Sequence, residues 1–221
     1  MANHSLKYCG LTRLEDLVCA LELGVAFVGF NFFEHSTRFI EPDEAAELWH
    51  QAKVRLPNSP TVPVAVVVDT NLERISEIIQ EFPQLAVIQC HGHEDINYLQ
   101  ALRSAIGERQ LWKTVPVATE ADVELAIKLS RGSDMVLFDT RVLESEDPDR
   151  PLGGTGRRFD WLLLKTYRSA TPFALAGGIK PGMIQAAIKT GAAVIDLCSG
   201  IETAPGIKSE NLMKEAYAKS L

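Results

Sequence analysis

The feature that most restricts what this chain can fold into is a repeat. Eight times a short apolar run is followed by a segment with helical spacing of its apolar residues. The runs are 6–9, 26–31, 64–68, 86–90, 111–115, 135–138, 173–176 and 193–197. Runs without polar alternation fit strands covered on both faces. Parallel strands need a crossover, and that crossover is usually a helix. Two architectures satisfy this pattern, an open doubly wound sheet and a closed (β/α)8 barrel. Eight regular units in one undivided chain of 221 residues predict the α/β class and a single (β/α)8 TIM barrel spanning residues 1–221.

Helix boundaries are marked by local chemistry. Thr12 followed by Glu15 has the spacing of a capping box ahead of Leu14, Leu17, Val18 and Leu21. Pro42 suits a first helical turn. Leu72, Ile75, Ile79 and Phe82 share one face. Thr119 opens a helix faced by Ala121, Leu125 and Leu129. Further helices are expected from about Glu94, near Asp160, after Pro181, and around Leu212, Met213, Ala216 and Tyr217. The one long irregular stretch, 140–158, combines acidic residues and prolines with three glycines.

Composition excludes several function classes. With 46% hydrophobic and 23% charged residues, the chain can build a core without staples. A net charge of −7 with no basic cluster argues against a nucleic-acid partner. No run approaches a membrane span, and Met1 to Lys7 lacks a signal-peptide pattern, so a cytoplasmic protein with no membrane partner is expected. Cys9, Cys19, Cys90 and Cys198 are scattered without a CxxC pair, which fits neither a zinc framework nor a disulfide scaffold.

Barrel enzymes place their chemistry at the C-terminal ends of the strands. The special residues there are Cys9-Gly10, Asn31, Asp69, Cys90-His91-Gly92, Asp139, Gly177-Gly178 and Ser199-Gly200. Cys9 is readable as a small buried hydrophobe or as a base or nucleophile, and position leaves both open. Asp139 is readable as a turn cap or as an acid–base group, and the long loop after it favours the second. Glycine turns after the last two strands occupy the usual phosphate-binding place of barrels. Arg38 is either a solvated side chain or a fork for a carboxylate. Cys90, His91 and His93 lack the further cluster a metal site needs, so no metal is expected. Lys113 is expected to be structural or a weak substrate contact.

The ordered set of motifs resembles the phosphoribosylanthranilate isomerase family of tryptophan biosynthesis. Lys7-Tyr8-Cys9-Gly10-Leu11-Thr12 resembles its K-x-C-G-x-T opening, and Gly29-Phe30-Asn31-Phe32 with Ser36-Thr37-Arg38-Phe39 its G-F-x-F…S-P-R-Y segment. Gln89-Cys90-His91-Gly92 is similar to Q-L-H-G. Gly153-Gly154-Thr155-Gly156 with Phe159-Asp160-Trp161 is similar to G-G-T-G-K-x-F-D-W. Leu175-Ala176-Gly177-Gly178 and Ser199-Gly200-Ile201-Glu202 with Pro205-Gly206-Ile207-Lys208 complete the series. The resemblance covers essentially the whole chain.

What the resemblance implies is a TIM barrel that carries out an Amadori rearrangement of N-(5-phosphoribosyl)anthranilate without cofactor or metal. Cys9 would be the general base and Asp139 the general acid. Arg38 would meet the anthranilate end, and Gly177, Gly178, Ser199 and Gly200 the phosphate. The partner would be this small phosphorylated substrate, with the protein a monomer or homodimer. Thr37 stands where proline is usual, which would loosen the loop holding Arg38, and Asp69 replaces an asparagine. In a closed barrel the last strand neighbours the first, so Cys198 would lie near Cys9. The histidine-pathway isomerase is the nearest alternative, but it uses a carboxylate at the position of Cys9. Indole-glycerol-phosphate synthase needs a lysine and glutamate set that has no place here. A barrel that binds phosphate without catalysis is the non-enzyme alternative.

Overall fold

The computed structural model describes residues 5–140 and 159–221. Eight parallel strands close into a barrel in chain order: β1 (Ser5–Cys9), β2 (Phe27–Asn31), β3 (Val62–Val67), β4 (Val87–Cys90), β5 (Gln110–Val117), β6 (Met135–Thr140), β7 (Phe173–Leu175) and β8 (Val194–Leu197). Closure is made by β8 against β1, where Lys7 sits opposite Asp196 and Tyr8 opposite Leu197. The α-helices are α1 (Leu14–Leu23), α2 (Pro42–Arg55), α3 (Leu72–Glu81), α4 (Ile96–Ala105), α5 (Glu120–Leu129), α6 (Ile184–Ile188) and α7 (Glu210–Ser220).

Side chains alternate between the two sides of each strand. Outward residues such as Leu6, Tyr8, Val28, Phe30, Ile88 and Phe138 pack under the helices in one large apolar layer. Inward residues Val64, Val87, Trp112, Met135, Leu137, Ala174, Ala176 and Val194 fill the barrel as a separate cluster. Trp112 packs edge-on against Phe27 with ring centroids 4.8 Å apart. This cluster fills the barrel interior from the N-terminal side.

Local signals explain most boundaries. Pro42 starts α2, while Asn71 and Asp95 cap α3 and α4 by accepting from the Arg74 and Tyr98 amides. Thr119 opens α5, and the Asp122 carboxylate accepts from the Thr119 amide at 2.9 Å. Three expectations need correction. Thr12 does not cap α1; Arg13 is the cap residue, and the Thr12 hydroxyl donates to the Gly206 carbonyl at 2.9 Å. A tertiary bond has taken the hydroxyl that the local pattern reserved for capping. After β6 no α-helix begins at Asp160. A 3-10 turn spans Trp161–Thr166 instead, opened by the Asp160 carboxylate, which accepts from the Leu162 amide at 2.9 Å. Finally, β9 (Glu202–Ala204) and β10 (Ile207–Lys208) form an unexpected antiparallel hairpin between β8 and α7. The Gly153-Gly154-Thr155-Gly156 motif and Arg157 lie outside the described residues.

Candidate active site

Above the apolar plug the barrel interior turns polar. Lys7, Gln89, Thr114 and Asp196 are all buried there. The Gln89 amide donates to Thr114 Oγ1 at 3.1 Å. Lys7 Nζ bonds Asp196 Oδ2 at 2.9 Å across the β1–β8 seam. Burial works against the Lys7 charge, but Asp196 and Cys9 beside it outweigh burial and hold it above the ordinary lysine value. Burial also pushes the Asp196 carboxyl up to about 7, against the pull of Lys7.

One step further toward the mouth stand Cys9 and Cys198, on neighbouring strands and facing the same way as Lys7 and Asp196. Both are free thiols, and each shifts the ionisation of the other. The Cys198 thiol beside it holds Cys9 well below the ordinary thiol value. Burial opposes this, while Lys7 and Lys208 reinforce it. A Cβ built on Gly29 would fall 2.7 Å from Cys9 Sγ and 3.2 Å from Lys7 Nζ, so the thiol and the ammonium converge on one spot. Sequence reasoning left Cys9 open between packing and chemistry; its surroundings are those of an ionised thiol.

Arg38 reaches the same place. Gly10 adopts φ +70°, where side chains are strained, and a Cβ there would meet Arg38 Cδ at 2.5 Å. The guanidinium forms a two-pronged bond with Glu202, Nε to Oε1 at 2.8 Å and Nη2 to Oε2 at 2.6 Å. Lys208 Nζ bonds Glu202 Oε1 at 2.7 Å and lies 3.8 Å from Cys198 Sγ. Burial alone would raise Glu202, but the bonds from Arg38 and Lys208 overcome it and hold the carboxylate below its ordinary range. The loop carrying Arg38 is held despite Thr37. Asn31 donates to Ser36 Oγ at 2.9 Å, and Ser36 Oγ accepts from the Arg38 amide at 3.1 Å.

On the other side of the mouth, Asp139 ends β6. Its Oδ1 accepts from the Thr140 amide at 2.7 Å, and its Oδ2 lies 3.5 Å from His91 Nε2 at the end of β4. Both side chains remain partly exposed to the mouth. The two glycine turns meet: a Cβ on Gly200 would fall 1.8 Å from the Ile179 carbonyl oxygen, so Ser199-Gly200 packs directly on the Gly177-Gly178 turn. Gly177 and Gly178 themselves have φ of +93° and +65°.

Other polar residues lie elsewhere. Lys113 faces outward and is buried against Glu94, at 2.7 Å, and the Gly92 carbonyl, at 2.7 Å. It is therefore structural and does not line the barrel. Asp69, at φ +46°, accepts from the His93 amide, and its Oδ2 lies 2.8 Å from His93 Nδ1. Among the described residues no group of His, Cys, Asp and Glu is arranged to hold a metal, and no helix is long and apolar enough to cross a membrane. Sequence reasoning missed Lys7, Asp196, Glu202 and Lys208 as site residues. A detectable signal was present for Lys7 and Asp196, which are charges set inside otherwise apolar strands.

Residues 6–219 match the family described as N-(5'phosphoribosyl)anthranilate (PRA) isomerase. The chain is 37% identical over 210 residues to N-(5'-phosphoribosyl)anthranilate isomerase of Rhodopseudomonas palustris, covering 95% of this chain and 92% of that one. It is similar to the crystal structure of phosphoribosyl anthranilate isomerase from Thermotoga maritima, with TM-score 0.84, 30% identity and 98% of each chain covered. Another similar structure, at TM-score 0.80, 29% identity and 98% coverage of both chains, holds reduced 1-(o-carboxyphenylamino)-1-deoxyribulose 5-phosphate.

Proposed function

This chain belongs to the N-(5'-phosphoribosyl)anthranilate isomerase family, and from that premise we propose that it rearranges N-(5'-phosphoribosyl)anthranilate to the 1-deoxyribulose product by acid–base catalysis, with Cys9 as base and Asp139 as acid. Asp139 donates a proton to the furanose ring oxygen as the ring opens to a protonated Schiff base. The Cys9 thiolate takes the proton from C2, giving a neutral enolamine that tautomerises to the ketone. No atom is gained or lost. The two groups stand on β1 and β6, well separated around the mouth, so one sugar can lie between them.

The observation that carries the assignment of the base is the setting of Cys9, between Lys7 and Cys198 at the end of β1. A carbon acid demands a base that is ionised at working pH, and a thiol reaches that state only with such neighbours. Arg38, beside Cys9, is placed for the anthranilate carboxylate. The joined turns at Gly177, Gly178, Ser199 and Gly200 are placed for the phosphate. With a net charge of −7, the protein as a whole repels this anionic substrate, so capture depends on these local donors.

The test is the fluorescence loss of freshly made phosphoribosylanthranilate. Wild type should turn it over, and Cys9→Ser and Asp139→Asn should each lose about a hundredfold or more in kcat. Near-wild-type turnover in either variant would overturn its assigned role. Absence of turnover in the wild type would overturn the reaction, and the histidine-pathway aminoribotide would then be tried as substrate.

A further inference from the structure

We propose that the base is a cysteine pair sharing one proton, in which Cys198 is a positioning residue whose thiol donates to the Cys9 thiolate and keeps it ionised and aimed at the substrate. This rests on the reading of Cys9 as the base and deepens it.

The placement follows from register. Lys7 and Tyr8 sit opposite Asp196 and Leu197 across the β1–β8 seam. The next positions along are Cys9 and Cys198, and alternation turns both inward beside Lys7 and Asp196. The glycines around them fix where the sulfurs lie. The Cβ direction of Gly29 points at Cys9 Sγ, and that of Gly10 runs past Arg38 to Cys198 Sγ at 3.3 Å. The two thiols therefore face each other within a cage of glycine and charge.

The charges around the pair select one proton. Lys7 approaches from β1, Arg38 from the loop after β2, and Lys208 from β10. Facing them are Asp196 on β8 and Glu202 on β9, with Asp139 more distant on β6. Three cations opposed by two carboxylates leave room for one further negative charge. One thiolate supplies it, and a second would be uncompensated. Lys7 lies against Cys9 and its partner Asp196 is pushed by burial toward protonation, whereas Lys208, which faces Cys198, is bound to Glu202, whose carboxylate is held ionised. The charge therefore settles on Cys9, and the remaining proton stays on Cys198. When Cys9 takes the C2 proton, both thiols become neutral.

The pair makes opposite predictions for its two members. In the full-length protein, ultraviolet thiolate absorbance is followed against pH, together with the acidic limb of kcat/KM. Cys198→Ala should move both the Cys9 titration and that limb up by about one pH unit, the size of a lost hydrogen bond to a charged group. Cys198→Ser should retain the low values, because a hydroxyl can donate in the same way. Cys9→Ser should move Cys198 in the reverse direction, to lower pH, because its thiol no longer donates to an anion. Unchanged titrations in both Cys198→Ala and Cys9→Ser would overturn the pair, as would a wild-type thiolate residing on Cys198. If Cys198→Ala fails to fold, the Cys9→Ser arm still decides. Loss of the isomerase reading would show as absent turnover, while the titrations would still report on the pair.

Discussion

At the scale of single residues, the proposed chemistry depends on which protons are held. Cys9 and Cys198 are neighbours at the ends of adjacent strands. Neighbouring strands lie about 5 Å apart, within the Cα span of a disulfide. A peroxide should oxidise the Cys9 thiolate to the sulfenic acid. Attack by the Cys198 thiol would then expel water and form the disulfide. Exposure to mild hydrogen peroxide should therefore abolish turnover, with full recovery on adding a thiol reductant. Peptide mapping of the inactive protein should find a Cys9–Cys198 link, and its absence would show that the two sulfurs cannot reach bonding geometry. Arg38→Ala should mainly raise KM, because in the proposed mechanism the guanidinium binds beside Cys9 without supplying a proton. An unchanged KM with unchanged kcat/KM would remove Arg38 from the binding site.

At the scale of elements, the β9–β10 hairpin organises the mouth. Glu202 on β9 gathers Arg38 from the loop after β2 and Lys208 from β10. Its folded carboxylate is held below the ordinary range. A group of this kind contributes stability that is present above its unfolded value, near 4.3, and lost as pH falls through the folded value. The urea midpoint of wild type should therefore drop more steeply below about pH 4 than that of Glu202→Gln. Parallel slopes would mean that the clamp does not form in solution. The elements also show where local reading fails. Thr119 and Asp122 follow the capping pattern, with the Asp122 carboxylate accepting from the Ala118 and Thr119 amides. Thr12 shows the same pattern and does not cap, because Gly206, 194 residues away, takes its hydroxyl. A cap is worth about 1 kcal/mol, and one tertiary hydrogen bond has the same size. Local spacing alone therefore cannot settle which one forms.

At the scale of the whole molecule, the Lys7–Asp196 bond joins the first strand to the last at 2.9 Å in a nearly dry interior. A buried pair costs more to break than to replace. Lys7→Met should lower unfolding stability by about 3–5 kcal/mol, because it leaves Asp196 buried without its cation. Pairing that change with Asp196→Leu should restore most of the loss, as read from urea unfolding. If the double variant is as unstable as the single one, the seam depends on more than this pair.

Much of the barrel was legible in the chain before any coordinate. The eight apolar runs and their helical intervals depend on residue order over short distances, and hydrophobic burial acts on that order directly. The strand-end positions of Cys9, Asp139, Gly177-Gly178 and Ser199-Gly200 follow from the same periodicity. The sequence by itself therefore determined the class of fold and the residues standing at the C-terminal ends of the strands. Only the tertiary structure decided which of those residues meet. Lys7 with Asp196, Arg38 with Glu202, and Cys9 with Cys198 are each brought together across more than 160 residues of chain. The reason is that ionisation depends on charge and dielectric within a few ångströms. Closure of β8 onto β1 creates that environment, and no local spacing encodes it.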